Sequence, residues 1–416
     1  MSIEQKVNSR KKLLVLDGVI AKLERALYGL RESPLLWQRD FSSSLKEIGF
    51  QPIPHEPCCM VKDGIIIFYY VDDIVLAFRK DKRDDAAKLM RKLQTKYNIA
   101  GRDDLQWFLG IEIIRDRQNR RIWLSQSDYL DKIGKLAQGS RKWAGTPMGK
   151  EELLPYTGIA PELSRTSYQK KVGSILYAAV ITRPDVAFAA SRIARFNMNP
   201  GPEHHAAADR ILHYLYATRF YALRLGGEDD FEVFSDASFA DNRLDRKSSQ
   251  AYVMRLFGGV VGWRANKQAT VAKSTTDAEL LALSQTAGEA MYVSRLLKEI
   301  GIGLDDDRIK IWCDNMQTIK LVTDAVAHLK TQLRHVDIHN HWLRQEVANE
   351  TITVEYVPTA EMLADGLTKP LQGTVFERFR NQIGLEDVRD RVEKRKFREL
   401  DLDGLRARAQ DIEDWV

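Results

Sequence analysis

Between residues 231 and 371, three strand-like runs (FEVFSDASFA, SQAYVMRLF and GVVGWRA) precede one long helical stretch over 275–299. Strand and helix then alternate through IKIWCDN and TITVEYV to a short closing helix. This order restricts the segment to a mixed α/β sheet covered by helices, because each amphipathic helix must bury its stripe against a sheet face. Four acids stand out within it. Asp236 follows the strand EVFS and Asp314 follows IKIWC; alone, an acid just past an apolar strand is ordinarily an exposed turn residue. Glu279 is different. Counting from it by threes and fours meets Leu283, Ala287, Ala290 and Leu297, so its carboxylate shares the apolar stripe that faces the sheet. Ser274, Thr275 and Asp277 supply helix-start chemistry just before it. A buried carboxylate needs a cation or a proton, since isolated burial costs on the order of several kcal/mol. Asp365 lies on the closing helix, within AEMLADGLTKP. Four carboxylates suit hard divalent cations: two Mg2+ ions, with Mn2+ as a substitute, about 4 Å apart can hold an attacking water and a leaving oxygen in line.

The rest of the chain divides into three further regions. The first, 1–120, mixes helix and strand: SPLLWQRDFSSSLKEIGF has Ser33 as a cap, Pro34 at the first helical position and a terminating Gly49. IIIFYYVDDIVLAF reads as two buried strands meeting at Asp72 and Asp73, and WFLGIEIIRD and RRIWLSQ read as a further strand pair. The second region, 121–226, is mostly helical, through YQKKVGSILYAAVI, PDVAFAASRIARF and PEHHAAADRILHYLYATR. The fourth, 372–416, alternates basic and acidic residues at near parity and reads as a solvated helix or charged tail.

FSDASFAD, DRKSSQAYV, STTDAELLALS, WCDN and VPTAEMLADGLTKPL together resemble the ribonuclease H domain of copia-type LTR retrotransposon Pol polyproteins, in that family's order and spacing. The resemblance implies a five-stranded mixed sheet with flanking helices over 231–371. It also implies Asp236, Glu279, Asp314 and Asp365 as catalytic metal ligands, and endonucleolytic cleavage of RNA in RNA–DNA hybrids. Many ribonucleases H carry a histidine in the loop before the last aspartate; VPTAEMLAD has none, which leaves the proton-transfer step unassigned. Arg246 and Lys247, in DRKS, are candidate phosphate contacts, an ordinary exposed turn being the alternative. In RHVDIHNHW, His335 and His339 are four apart, but no cysteine is near, and a structural or substrate-proximal role outweighs a zinc site.

The first region resembles the reverse transcriptase of the same elements. ALYGLRESPLLW, with Gly29 and Ser33, is similar to the motif that positions template and nucleotide. YVDD, with Asp72 and Asp73, is similar to the catalytic hairpin, and WFLGIEI to the segment holding the primer end. In this family another polymerase aspartate lies several dozen residues upstream of the glycine motif. Asp17, in LLVLDGVI, is separated from Gly29 by only eleven residues. A partial palm is therefore expected, with polymerisation by this chain alone not expected. The second region resembles the family's thumb and connection. Arg183, Arg192 and Arg195 there are candidates for a nucleic-acid channel, with a solvated helix face as the other reading.

Composition excludes little but is consistent with this. Lys and Arg number 63 against 58 Asp and Glu, a net charge of +5, which permits a nucleic-acid partner only through local clustering. Three unspaced cysteines make neither a disulfide framework nor a zinc pattern, and IIIFYYV is too short to span a bilayer, so an intracellular protein without membrane partners is expected. The alternative function is a catalytically inactive relic that binds nucleic acid without turnover. Oligomeric state is not legible.

Overall fold

The computed structural model describes residues 30–71, 73–97, 99, 104–139, 145–227, 231–324, 326–327, 329 and 333–395, with the backbone of three short strands before them. These are β1 (Val7–Asn8), β2 (Leu13–Leu16) and β3 (Val19–Lys22), an antiparallel three-stranded sheet. Asp17, Gly29 and Asp72 lie outside the described residues. The chain divides into two compact units, one centred on residues up to Leu105 and one on Gln106 onward.

In the first unit, α1 (Ser33–Glu47) is followed by the antiparallel sheet β4 (Gln51–Ile53), β5 (Glu56–Lys62), β6 (Ile65–Tyr70) and β7 (Asp73–Phe78), and then α2 (Arg83–Lys96). Strand alternation puts Ile65, Ile67 and Tyr69 inward, against Phe41 and Leu45 of α1 and Leu89 and Leu93 of α2. The expected cap at Ser33 is shifted. Glu32 occupies the cap position without a side-chain bond, and Ser33 is already the first helical residue. Gly49, at φ 95°, ends the helix as expected. β6 and β7 are half-buried rather than buried, and form a tight hairpin in which Tyr70 pairs with Asp73. Trp37 Nε1 donates to the Val71 carbonyl at 2.5 Å, fixing the turn, and Asp73 is exposed at the start of β7.

The second unit holds two five-stranded sheets. β8 (Trp107–Phe108), β9 (Ile111–Asp116) and β10 (Arg121–Ser125) pair as the sequence suggests. Helices α3 (Ser127–Gly134), α4 (Glu162–Ile181), α5 (Ala187–Ala194) and α6 (Pro202–Ala217) follow. β11 (Tyr221–Leu225) then returns to pair with β10. The 121–226 region is therefore not only helical. Next come β12 (Phe231–Ser238), β13 (Ser249–Leu256) and β14 (Gly259–Lys267), the long α7 (Thr275–Glu299), β15 (Ile309–Cys313), α8 (Met316–Thr323), α9 (Arg334–Ala348), β16 (Ile352–Tyr356) and α10 (Asp365–Thr368). The sheet order is β14-β13-β12-β15-β16, with β12–β14 antiparallel and β12, β15 and β16 parallel. This is the expected ribonuclease H-like five-stranded mixed sheet.

The last region is corrected. α11 (Gly373–Gln382) buries Phe376 and Phe379, and β17 (Leu385–Asp387) adds to β11 as the edge strand of the other sheet. Val388 and Val392 are buried beyond it, and Arg395 pairs with Glu112 of β9 at 2.9 Å. Charge parity hid a helical spacing of apolar residues at 376, 379 and 383, which packs once a partner surface exists. Residues 396–416 lie outside the described residues.

The helices of 162–217 and the ribonuclease H-like sheet share one core. Tyr168, Ile175, Ile193 and Leu212 cluster with Phe234, Val253 and Phe379, and Trp263 Nε1 of β14 donates to the Ala179 carbonyl at 2.7 Å. Arg183 does not face a channel. It is fully buried, bonded twice to Asp185 (2.9 and 2.7 Å) and twice to Thr218 (3.1 and 2.7 Å), while Tyr214 OH donates to Asp185 at 2.7 Å. Asp185→Asn leaves that guanidinium buried and uncompensated; a loss of about 3–5 kcal/mol is expected from urea unfolding. A loss under about 1 kcal/mol would mean the pair does not hold the helices together. No helix among the described residues is long and apolar enough to cross a membrane.

Candidate metal centre

Asp236 lies inside β12 rather than past its end, paired opposite Ala251 of β13 and almost fully buried. Glu279 is the fifth residue of α7, whose start is fixed by Ser274 Oγ accepting from the Asp277 N–H at 3.0 Å. As the stripe predicts, Leu283, Ala287 and Ala290 are buried with it. Thr286 Oγ1 donates to Ser235 Oγ at 3.1 Å, tying α7 to the strand that carries Asp236. Asp314 directly follows β15, parallel to β12 and next to it, and its Oδ2 accepts from Thr359 Oγ1 at 2.8 Å.

These elements bring one carboxylate oxygen each from Asp236, Glu279 and Asp314 within 4.8 Å of one another; among the described residues no other group of three or more His, Cys, Asp or Glu side chains comes together in this way. Asp365 is not in that trio. It starts α10, and its Oδ1 accepts from Lys369 Nζ at 2.6 Å, while the same ammonium stands 3.8 Å from Asp236 Oδ2. The fourth acid is thus joined to the cluster through a cation. Thr368 Oγ1 donates to Asp236 Oδ2. Sequence reading overlooked Thr368 and Lys369, although they sit three and four residues after Asp365 in LTKP, the spacing that puts side chains on one helix face.

The electrostatics follow from burial and crowding. Desolvation raises the Asp236 pKa to about 7, opposed by Lys369 and Thr368 and reinforced by Asp365 and Asp314. Burial also pushes Glu279 well above the usual carboxylate range, with Asp236 and Asp314 adding to it, although the Ala237 N–H stabilises its anion. Burial alone would lower Lys369, but Asp236 and Asp365 hold it above the ordinary lysine value. Glu279 Oε2 is buried without a hydrogen-bond partner among the described residues. An orphaned carboxylate oxygen beside two further carboxylates, with no sulfur or imidazole among the donors, fits a hard divalent cation such as magnesium.

Gly366 gives this site its tight closure. A Cβ there would stand 2.5 Å from the ring of Phe379, which is itself buried. Gly366→Ala is expected to cost about 1–3 kcal/mol in thermal or urea unfolding, and an unchanged melting temperature would show that α10 gives way easily.

The other expected site residues do not join the cluster. Arg246 is exposed in the loop between β12 and β13, at φ 55°, and Lys247 follows it with its N–H on Asp245 Oδ1 at 3.1 Å. His335 Nε2 meets Thr270 Oγ1 at 3.3 Å and His339 Nδ1 meets Ser284 Oγ at 2.7 Å, and among the described residues they belong to no metal-ligand cluster. Ser33 and Asp73 belong to the first unit.

The sheet order, with its flanking helices, defines a ribonuclease H-like fold. Residues 15–147 match the reverse transcriptase (RNA-dependent DNA polymerase) family. The chain is 33% identical over 380 residues to the retrovirus-related Pol polyprotein from transposon TNT 1-94 of Nicotiana tabacum, covering 88% of this chain and 28% of that protein. It is 32% identical over 277 residues to the transposon Ty5-1 protein of Saccharomyces cerevisiae, covering 64% of this chain and 89% of that one. Among solved structures it is similar to the foamy viral protease-reverse transcriptase in complex with an RNA/DNA hybrid, at a TM-score of 0.48 and 15% identity over 87% of this chain and 42% of that chain. The chain belongs to the copia-type LTR retrotransposon Pol family. It spans 28% and 25% of the length of the plant Pol polyproteins it matches from tobacco and Arabidopsis thaliana.

Proposed function

We propose that residues 231–371 form a divalent-metal-dependent ribonuclease H that cleaves the RNA strand of RNA–DNA hybrids, leaving a 3′-hydroxyl and a 5′-phosphate. The convergence of Asp236, Glu279 and Asp314, with Glu279 Oε2 left unpartnered, carries this reading. A carboxylate trio with two members almost fully buried and the third half-buried is costly in a domain that has no divalent cation to place there. Asp236, Glu279 and Asp314 would hold magnesium, with Asp365 nearby through Lys369. Bound magnesium supplies an activated water and charge neutralisation at the phosphodiester.

The chain's own groups do the positioning. Thr368 fixes the rotamer of Asp236, Thr359 that of Asp314, and the Ala237 N–H that of Glu279, so three rigid elements present preset oxygens. Lys369 offsets the mutual repulsion of Asp236 and Asp365, leaving one cation beside the acids where a phosphate would approach.

The test is incubation of the purified chain with a 5′-labelled RNA–DNA hybrid and magnesium. RNA-strand fragments that disappear on chelation are expected. Binding of the hybrid with no fragments above the chelated control would replace this reading with that of a non-catalytic nucleic-acid binder.

A further inference from the structure

Beside the carboxylate cluster, within the same unit, lies a cavity of about 480 Å³ whose walls come from the segment 148–156, α5, the turn after it, the β12–β13 loop and the Thr368–Pro370 segment. Six cationic side chains line it against four acidic ones: Lys150, Arg192, Arg195, Arg243, Lys267 and Lys369 face Glu151, Glu152, Asp241 and Asp245. Most of these charges are committed to each other. Arg192 is paired with Asp241, Lys267 with Asp245 at 2.6 Å and Arg243 with Glu152 at 3.0 Å. Asp241 is saturated further by Ser249, which donates its N–H at 2.6 Å and its hydroxyl at 2.9 Å.

Arg195 is left over. Among the described residues its guanidinium has one hydrogen-bond partner, the neutral Ser249 hydroxyl at 3.2 Å, and its Nε is buried with none. Burial, with Arg192 close by, lowers its pKa to about 10 even though Asp241 and Asp245 act in the opposite direction, so the guanidinium is under-compensated and carries a cost to the fold. A planar donor fork of this kind is matched by a carboxylate or a phosphate. Asp241, Asp245 and Glu152 are already paired with other cations, which leaves the Arg195 fork open to an anion from outside. Lys369 and Thr368 line this cavity and also contact the catalytic acids, so the two sites are continuous. A strand lying over Asp236 would carry a neighbouring phosphate into the cavity mouth.

We propose that Arg195 and the cavity it lines form a phosphate subsite that takes an oxyanion of a phosphate ester, supplied by the polynucleotide strand at the Asp236 cluster or by free phosphate. The strand source rests on the nucleic-acid reading above; the anion site itself does not. The subsite grips a phosphate away from the reacting bond, so it acts on binding and register rather than on bond cleavage.

Two measurements separate the sources. Fluorescence anisotropy of a labelled RNA–DNA hybrid is followed against salt in chelator, where nothing is cut. Thermal melting is followed with added inorganic phosphate and no nucleic acid. Arg195→Gln is expected to bind the hybrid about tenfold more weakly and to flatten the slope of log affinity against log salt by about 1, the value for one lost phosphate contact. Arg195→Lys should keep most of the slope. Leu244→Glu, at a 60% exposed cavity position where folding is not at stake, should weaken binding in the same direction. A flattened hybrid slope assigns the subsite to the strand. An unaltered slope with a phosphate-induced melting shift lost in Arg195→Gln and Leu244→Glu assigns it to free phosphate. If neither measurement changes in these variants, the proposal is overturned. If the wild-type chain fails to bind hybrid at all, the hydrolase reading falls, and the phosphate melting shift alone then decides for or against the subsite.

Discussion

Asp236→Asn is expected to slow RNA cleavage in a hybrid by about 10³-fold or more under single turnover, a barrier increase of roughly 4 kcal/mol, while hybrid affinity in chelator stays equal or rises. The substitution is nearly isosteric, so β12 and its register with β13 and β15 are kept. What changes is charge. Asp236 is the central carboxylate: its oxygen stands within 4.8 Å of those of Glu279 and Asp314, and Lys369 lies 3.8 Å away. Losing its anion leaves the proposed cation site with weaker donors and leaves Lys369 paired to Asp365 alone. If this surface meets phosphates as proposed, removing a negative charge from it does not weaken encounter, which is why affinity and rate should separate. A rate loss smaller than about tenfold would place the chemistry elsewhere on the molecule.

Without metal, the same substitution should stabilise the protein at pH 8, raising its melting temperature by about 5–10 °C. The native state then carries a carboxylate that burial and two neighbouring acids make costly, on the order of 2–4 kcal/mol, and in a unit of this size 1 kcal/mol moves the melting temperature by about 2–4 °C. The direction with pH follows from proton linkage. The folded pKa of Asp236 is raised to about 7 from an ordinary 3.8, so the folded chain holds the proton more tightly than the unfolded one. The penalty is therefore complete above pH 7, shrinks as pH falls between about 7 and 4, and is gone below that. The melting advantage of Asp236→Asn should close along the same window. Millimolar magnesium should raise the wild-type melting temperature at pH 8 and move the variant far less. Parallel melting curves for the two proteins from pH 4 to 8 would show that Asp236 is not held in a crowded, dry site.

Local pattern made much of this architecture legible. Three strand runs, one 25-residue helix and later alternation specified the mixed sheet, and the apolar stripe through Leu283, Ala287 and Ala290 turned Glu279 inward before any contact was known. Capping chemistry located the start of α7 at Ser274. The same logic placed the Ser33 cap one residue late, because Ser33 and Glu32 are both compatible with a first turn that Pro34 dominates. It failed at 373–392, where frequent charges masked the buried Phe376, Phe379, Val388 and Val392. Arg183 and Arg195 looked alike as basic residues near helical segments. One proved to be the fully bonded centre of a buried network and the other a guanidinium with one hydrogen-bond partner, a neutral hydroxyl, among the described residues.

The amino-acid order by itself settled most of the elements of 231–371 and which acids were candidates for one site, since periodicity and residue type act over a few positions along the chain. Tertiary structure alone decided which charges would cancel. Lys369 bridges Asp365 to Asp236 across 129–133 residues of sequence, β17 joins β11 from 160 residues away, and Arg195 is left among the described residues without a hydrogen-bonded acid because Asp241 was already taken by Arg192 and Ser249. Such pairings depend on through-space distance and local dielectric, neither of which is written in any short stretch of sequence.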